Sequence, residues 1–169
     1  MGNQEHYFQL FKSATAVVLD VDGVLTDGSL IITEKGEQLR TMNIRDGYAL
    51  KQGVLNGLVI AIISGSISEG VTKRLNRLGV REILMKVKDK SKALKKLAGK
   101  RNLDLSKTIY IGDDVPDLDA MKLCGVPCCP ADAIPEILSI AKYISPLGGG
   151  KGCVRDILEK VLKLQGKWE

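Results

Sequence analysis

The chain is poor in the side chains on which much enzyme chemistry rests. Of its 169 residues a single one, His6, is histidine, and it sits in a polar N-terminal lead expected to be peripheral. Ser-His-Asp and Cys-His hydrolysis, histidine-ligated zinc and histidine acid/base chemistry therefore lose their central group, and catalysis is left to carboxylates, lysines or a metal. The four cysteines, Cys124, Cys128, Cys129 and Cys153, lack the paired Cys-x-x-Cys spacing of a structural zinc site and read as buried free thiols, in keeping with a reducing cytoplasm. No signal-peptide pattern opens the sequence, and no apolar stretch reaches the ~18 residues of a membrane span. Aromatic residues make up 4%, and none interrupts the densest basic stretch, Lys86 to Arg101. That stretch reads as a helix with a solvated lysine face, so the net charge of +5 suits anionic small molecules better than nucleic acid.

What the chain does have is Val, Ile and Leu in short runs. Its length fits one domain, residues 1–169, with a lead at 1–14, a β-hairpin at 29–43 and a C-terminal helix and tail at 148–169. The most informative run is Ala16-Val-Val-Leu-Asp20-Val-Asp22-Gly23, where an apolar strand ends in two carboxylates one residue apart. At the carboxyl end of a parallel strand such a pair would face the ligand crevice of an α/β fold, where it invites a divalent cation or supplies a nucleophile with an acid/base. A strand followed by an ordinary Asp-Gly turn is the alternative.

Strand and helix signals alternate along the rest of the chain. Ser29 to Thr33 and Gln38 to Asn43 flank a Gly36 turn. A helix is expected from Asp46 to Gly57, a strand at Leu58–Ile63, a helix at Ser68–Leu78, a strand at Glu82–Leu84 and a helix at Ser91–Arg101. Thr108–Ile111 and Val126–Cys129 read as strands, a helix begins near Ala133, Tyr143-Ile144 is an edge strand, and a last helix spans about Gly152–Leu164. This alternation predicts an α/β doubly wound parallel sheet with right-handed crossovers and a small projecting hairpin. Gly148-Gly149-Gly150-Lys151 reads as a flexible hinge before the last helix.

Asp20 and Asp22, Ser64, Lys90 and Asp113 each fall at the carboxyl end of a predicted strand or the start of the following helix, and in a parallel sheet those positions converge. As types they suit phosphate-monoester chemistry: an attacking carboxylate, a proton-transferring one, a hydroxyl and an ammonium for the phosphoryl oxygens, and a further carboxylate for a metal.

In these four motifs, Asp20-Val-Asp22-Gly-Val, Ser64, Lys90 and Gly112-Asp113-Asp114-x-x-Asp117, the chain resembles the haloacid dehalogenase superfamily of phosphatases. The resemblance implies that Asp20 becomes an aspartyl-phosphate and that Asp22 is the general acid/base. It also implies that Mg²⁺ is held by Asp20, the Asp22 backbone carbonyl and Asp113, with Ser64 and Lys90 neutralising the phosphoryl group. Asp114 and Asp117 would orient ligands from behind, or Asp117 would cap a helix. The stretches between Asp22 and Ser64 and between Ser64 and Lys90 are too short for that family's cap domains, so this member is expected to be capless, with a neighbouring subunit shielding the open site.

Gly23-Val-Leu-Thr-Asp-Gly28, Asn43-Ile-Arg-Asp-Gly47 and Gly149 to Lys167 are similar to a branch of this family that acts on eight-carbon 3-deoxy-2-keto sugar acid phosphates. Its members are tetramers whose hairpins pack together and whose mobile tails cover a neighbour's site. That likeness implies that Asn43, Ile44, Arg45, Asp46, Gly47, Lys51 and Arg74 contact the sugar acid, and that Gly149 to Lys151 belong to the tail hinge. Arg45, Lys51 and Arg74 independently suit an anionic carboxylate, with surface ion pairs the alternative. One position departs from the branch: Ser66 stands where an arginine is usual, which leaves open a nine-carbon, sialic-acid-like 9-phosphate. Two other readings are a non-catalytic phosphatase-like regulatory module and a phosphotransferase using the same aspartyl-phosphate. The filled catalytic positions speak against the first, and the lack of a cap to exclude water speaks against the second.

Overall fold

The structure is a computed structural model that describes residues 2–168, with side chains from residue 7 onward. In chain order, α1 (Gly2–Ser13) leads into β1 (Ala16–Leu19), followed by a hairpin of β2 (Ile31–Ile32) and β3 (Gln38–Leu39). Then come α2 (Ile44–Leu55), β4 (Val59–Ile63), α3 (Glu69–Arg77), β5 (Glu82–Leu84), α4 (Lys90–Arg101) and β6 (Thr108–Ile111). A short α5 (Leu118–Met121), β7 (Val126–Cys129), α6 (Pro135–Ile140), β8 (Tyr143–Ile144) and α7 (Cys153–Leu164) complete it.

Six strands form one parallel sheet in the order β5-β4-β1-β6-β7-β8, and β2 and β3 pair only with each other. Strands buried on both faces read as unbroken apolar runs because successive side chains serve opposite cores. Val17, Leu19, Ile60, Ile62, Ile109 and Ile111 enter the core covered by α2 and α7. Val18, Ala61, Ile63 and Tyr110 enter a second core with Leu94 and Leu97 of α4 and Ile137 of α6. From β1 the chain moves outward to β4 and β5, then returns across the sheet to β6. The winding reverses between β1 and β6, so their carboxyl ends part to leave the crevice where α/β sheets bind ligands.

The expected α/β fold is therefore present, with local differences. The hairpin ladder is shorter than the predicted strands, only Ile31 opposite Leu39 and Ile32 opposite Gln38, and Leu30, Ile31, Ile32 and Leu39 stay exposed. Helix α2 begins before the expected Asp46 because Asn43 caps it, its Oδ1 accepting from the Arg45 amide at 2.8 Å. Helix α6 starts at Pro135, whose fixed φ suits a first helical turn.

The N-terminal lead is not peripheral. Its residues form α1, and Phe11 is fully buried, its ring 5.2 Å from that of Tyr143 on the edge strand and 5.3 Å from that of Tyr7. Tyr7 and Leu10 pack against the same core, and Gln165 Nε2 donates to the Phe11 and Ala14 carbonyls. His6 lies outside the described side chains.

Gly148 to Lys151 form a packed strap where a flexible hinge was expected. A Cβ on Gly149 would fall 2.0 Å from the Gly23 carbonyl oxygen. The Gly149 amide donates to Asp132 Oδ1 at 2.9 Å, the Gly150 amide to the Val24 carbonyl at 2.9 Å, and Lys151 pairs with Asp27 at 3.2 Å. The tail beyond α7 also docks on its own chain. Gly166 turns it back at φ +67°, Lys167 Nζ reaches the Asn56 carbonyl at 3.2 Å, and the Trp168 ring meets Tyr48 of α2 edge-on at 5.8 Å. The Arg155 guanidinium lies 4.6 Å from the Trp168 ring centre.

Gly149→Ala is expected to destabilise the chain by about 2 kcal/mol through overpacking against Gly23. At this size that corresponds to a thermal midpoint lower by roughly 4–8 °C. An unchanged midpoint in thermal unfolding would show that the strap yields freely.

Candidate active site

Asp20 is the first residue beyond β1, and its amide donates to the Ile111 carbonyl at 3.1 Å, extending the ladder with β6 by one step. That bond aims its carboxylate into the crevice. Oδ1 accepts from the Val21 amide at 2.7 Å, and Oδ2 lies 2.7 Å from Lys90 Nζ. Lys90 opens α4, where the Asp89 side chain accepts from the Lys92 amide as N-cap, and its ammonium is buried rather than part of the solvated lysine face. It makes a second ion pair, 2.8 Å, with Asp117 Oδ1, which also accepts from the Tyr110 hydroxyl at 2.9 Å. Burial alone would lower the Lys90 pKa, but Asp117 and Asp20 outweigh it and the ammonium stays charged.

Asp20, Asp113 and Asp117 bring one carboxylate oxygen each to within 4.8 Å of one another. Three carboxylates against one ammonium leave two negative charges uncompensated. Burial, with repulsion from Asp117, pushes Asp20 up to about 6 against the pull of Lys90. Burial, then Asp117, Asp20 and Asp114, push Asp113 up to about 7. Asp113 Oδ1 is buried with no hydrogen-bond partner among the described residues. A crowded carboxylate set with an orphaned oxygen fits a hard divalent cation. Gly23, at φ +83°, makes room for the Asp113 carboxylate, since a Cβ there would lie 1.9 Å from Asp113 Oδ2.

Asp22 faces another way. Arg40, just past β3, grips its carboxylate with both arms, Nε to Oδ1 at 2.7 Å and Nη2 to Oδ2 at 3.1 Å. Asp22 and Arg40 are eighteen residues apart, so nothing in the local pattern around either signals the pair; Arg40 escaped the sequence reading. Ser64, fully buried at the end of β4, places its Oγ 3.0 Å from Ser66 Oγ, and its loop is pinned by amide bonds to Leu84 and from Val87. Asp117 joins the carboxylate cluster itself and makes no side-chain cap to α5. Asp114 is exposed and caps its own turn by accepting from the Val115 amide at 2.7 Å.

The residues expected to meet a sugar acid are spread more widely. Asn43 caps α2 and its Nδ2 donates to the Gly150 carbonyl at 3.3 Å, while Ile44, Arg45 and Lys51 are exposed along α2. Gly47 is buried under Arg74, whose Nη2 would lie 2.7 Å from a Cβ at that position. Arg74 also lines, with Arg40, Met42 and Ser68, a cavity of about 810 Å³ between the hairpin and α3. Asp46, in the first turn of α2, is buried against the start of α7, where its Oδ1 accepts from the Arg155 amide at 2.7 Å; among the described residues it acts as a tie between α2 and α7.

This sheet, with its carboxylate–lysine crevice between β1 and β6, defines a hydrolase core of the haloacid dehalogenase type. Residues 63–149 match the family model described as haloacid dehalogenase-like hydrolase. The chain is 32% identical to the 3-deoxy-D-manno-octulosonate 8-phosphate phosphatase of Salmonella typhi over 96% of its own length and 86% of that protein's. A crystal structure of the Moraxella catarrhalis enzyme of that name, in complex with magnesium, phosphate and a KDO molecule, superposes with a TM-score of 0.93. It is 33% identical, over 96% of this chain and 94% of that one. A cobalt-bound Haemophilus influenzae counterpart gives 0.90 at 32% identity, over 94% and 93% of the two chains. The chain belongs to the 3-deoxy-D-manno-octulosonate 8-phosphate phosphatase family.

Burial raises Asp46 from 3.8 to about 6, although the Arg155 and Gly152 amides pull it down. The native state thus holds this proton more tightly than the unfolded chain does. Its contribution to stability is full below about pH 4 and is lost as pH rises through 6. Asp46→Asn keeps an acceptor and cannot ionise, so its stability relative to wild type should rise by about 2 kcal/mol between pH 4 and 7. Denaturant titrations at both pH values would read this, and a pH-independent difference would contradict it.

Proposed function

We propose that the chain hydrolyses the phosphomonoester of 3-deoxy-D-manno-octulosonate 8-phosphate with Mg²⁺, releasing inorganic phosphate and the free sugar acid for lipopolysaccharide synthesis. One observation carries this: the cluster of Asp20, Lys90, Asp113 and Asp117 stands at the winding reversal of a chain that shares a third of its residues with a phosphatase seen holding magnesium, phosphate and the sugar acid.

The reaction divides between two carboxylates. Asp20 attacks phosphorus, and the departing sugar oxygen takes a proton from Asp22. Water then gives a proton back to Asp22 as it attacks the aspartyl-phosphate, which restores Asp20 and frees phosphate. Lys90 and Ser64 hold the phosphoryl oxygens. Asp20, Asp113 and the Asp22 backbone carbonyl would hold Mg²⁺, which offsets the charge of the phosphoryl group when bound. Asp117 keeps Lys90 in place behind them. Asn43 to Gly47, Lys51, Ser66 and Arg74 would meet the sugar acid.

The exposed apolar residues of the hairpin, Leu30, Ile31, Ile32 and Leu39, support assembly with further copies of the chain, and a homotetramer that shields the open site is the arrangement we propose. Among the described residues no helix is long and apolar enough to cross a membrane. The four free, buried thiols suit a cytoplasmic setting.

Asp20→Asn should abolish phosphate release while leaving thermal unfolding close to wild type, and chelation of Mg²⁺ should do the same reversibly. Near-normal turnover in that variant would sink the mechanism. Ser66, a hydroxyl paired with Ser64 where an arginine is usual, favours one second reading, the nine-carbon 9-phosphate. Phosphate release measured side by side on the two sugar acid phosphates decides: the eight-carbon compound is expected to give the higher kcat/KM, and equally poor rates on both would reject either substrate.

A further inference from the structure

We propose that Arg40 is a positioning residue for the reaction, acting through Asp22, so that the projecting hairpin sets the geometry of proton transfer. The inference rests on the roles proposed above for Asp20 and Asp22.

Asp22 follows β1 by three positions, in the loop after the strand, and its side chain is 34% exposed. A carboxylate so placed rotates freely unless something holds it. Arg40 supplies the hold: its side chain is packed down, 3% exposed, and its two arms meet the two carboxylate oxygens at 2.7 and 3.1 Å. A guanidinium fork on both oxygens fixes the plane of the carboxylate as well as its position. It leaves a lone pair on each oxygen for the proton that Asp22 exchanges with the sugar oxygen and with water.

The same pair holds the hairpin. Two residue pairs make a ladder too short to stand alone in water, and neither strand joins the main sheet. Arg40 Nη1 also donates to the Gln38 carbonyl at 3.4 Å, linking the grip on Asp22 to the backbone of β3. Whatever moves the hairpin moves Asp22. Asp20 is fixed separately by β6 and Lys90, so the attacking group and the proton-transfer group are held by different parts of the fold.

The test compares Arg40→Ala, Arg40→Lys, Asp22→Asn and Arg40→Ala/Asp22→Asn as full-length proteins, with Mg²⁺, on the sugar acid phosphate and on p-nitrophenyl phosphate. Arg40→Ala should lower kcat about tenfold or more, as expected for a misplaced acid/base, with KM within twofold of wild type. The loss should be smaller on p-nitrophenyl phosphate, whose leaving group departs without a proton. Lysine should restore part of kcat, and the double variant should be no slower than Asp22→Asn. An unchanged or raised kcat overturns the proposal, as does a loss confined to KM, which would make Arg40 a substrate ligand, or a double variant slower than Asp22→Asn. If Arg40→Ala does not fold, Arg40→Lys and Arg40→Gln carry the same comparison. Wild-type failure on the sugar acid phosphate alone would reject that substrate and leave the p-nitrophenyl phosphate arm to judge Arg40.

Discussion

A single ammonium group, that of Lys90, stands buried between Asp20 and Asp117, and the site is organised around it. Burying a charge is costly, and the attraction between partners offsets that cost only when the geometry is tight and the remaining oxygens are bonded. Both conditions hold here: the Val21 amide satisfies Asp20, and the Tyr110 hydroxyl satisfies Asp117. The pairings join the end of β1, the start of α4 and the turn after β6, so the crevice is closed by the groups that would do chemistry in it. Asp113 is the member left over, half-buried and with its Oδ1 short of a partner among the described residues, which is why the cluster suits a cation.

Around this centre close backbone approach does what side chains cannot. Gly23 yields space to Asp113, Gly112 to Asp117 and Gly149 to the Gly23 carbonyl; a Cβ at any of the three would lie closer than 3 Å to its neighbour. The strap from Gly148 to Lys151 thus presses on the loop that carries Asp22 and anchors the start of α7. Asp46 ties that helix to α2, and Trp168 returns along the same pair of helices to lie under the Arg155 guanidinium and edge-on to Tyr48. The body that supports the site is therefore tied together on the α2–α7 side, while the hairpin opposite is joined to the Asp22 loop by the Arg40 ion pair.

Much of the fold was legible in the chain because parallel strands buried on both faces leave unmistakable apolar runs, and β1, β4, β6 and β7 fall within a residue of where those runs lie. The carboxyl ends of such strands converge by topology, so Asp20, Ser64, Lys90 and Asp113 could be grouped before any coordinate was known. Less legible were elements whose identity hangs on tertiary contacts. A polar N-terminal segment became a docked helix through Phe11, and a glycine run that reads as flexible became tightly packed through its neighbours. Asp46 and Arg74, grouped with the sugar acid contacts, divide between a helix tie inside the body and a cavity beside the hairpin.

Composition and local pattern by themselves determined that this protein is an α/β sheet carrying a carboxylate pair at a strand end, without histidine chemistry to turn to. Both follow from short-range facts, the period of apolar residues and the identity of the residue that ends each run. Only the tertiary structure decided which charges meet: Asp117 with Lys90, twenty-seven residues apart, and Asp22 with Arg40, eighteen apart. Ion pairs have no periodicity and leave no trace along the chain. Their partners are chosen by distance and burial after the strands have aligned.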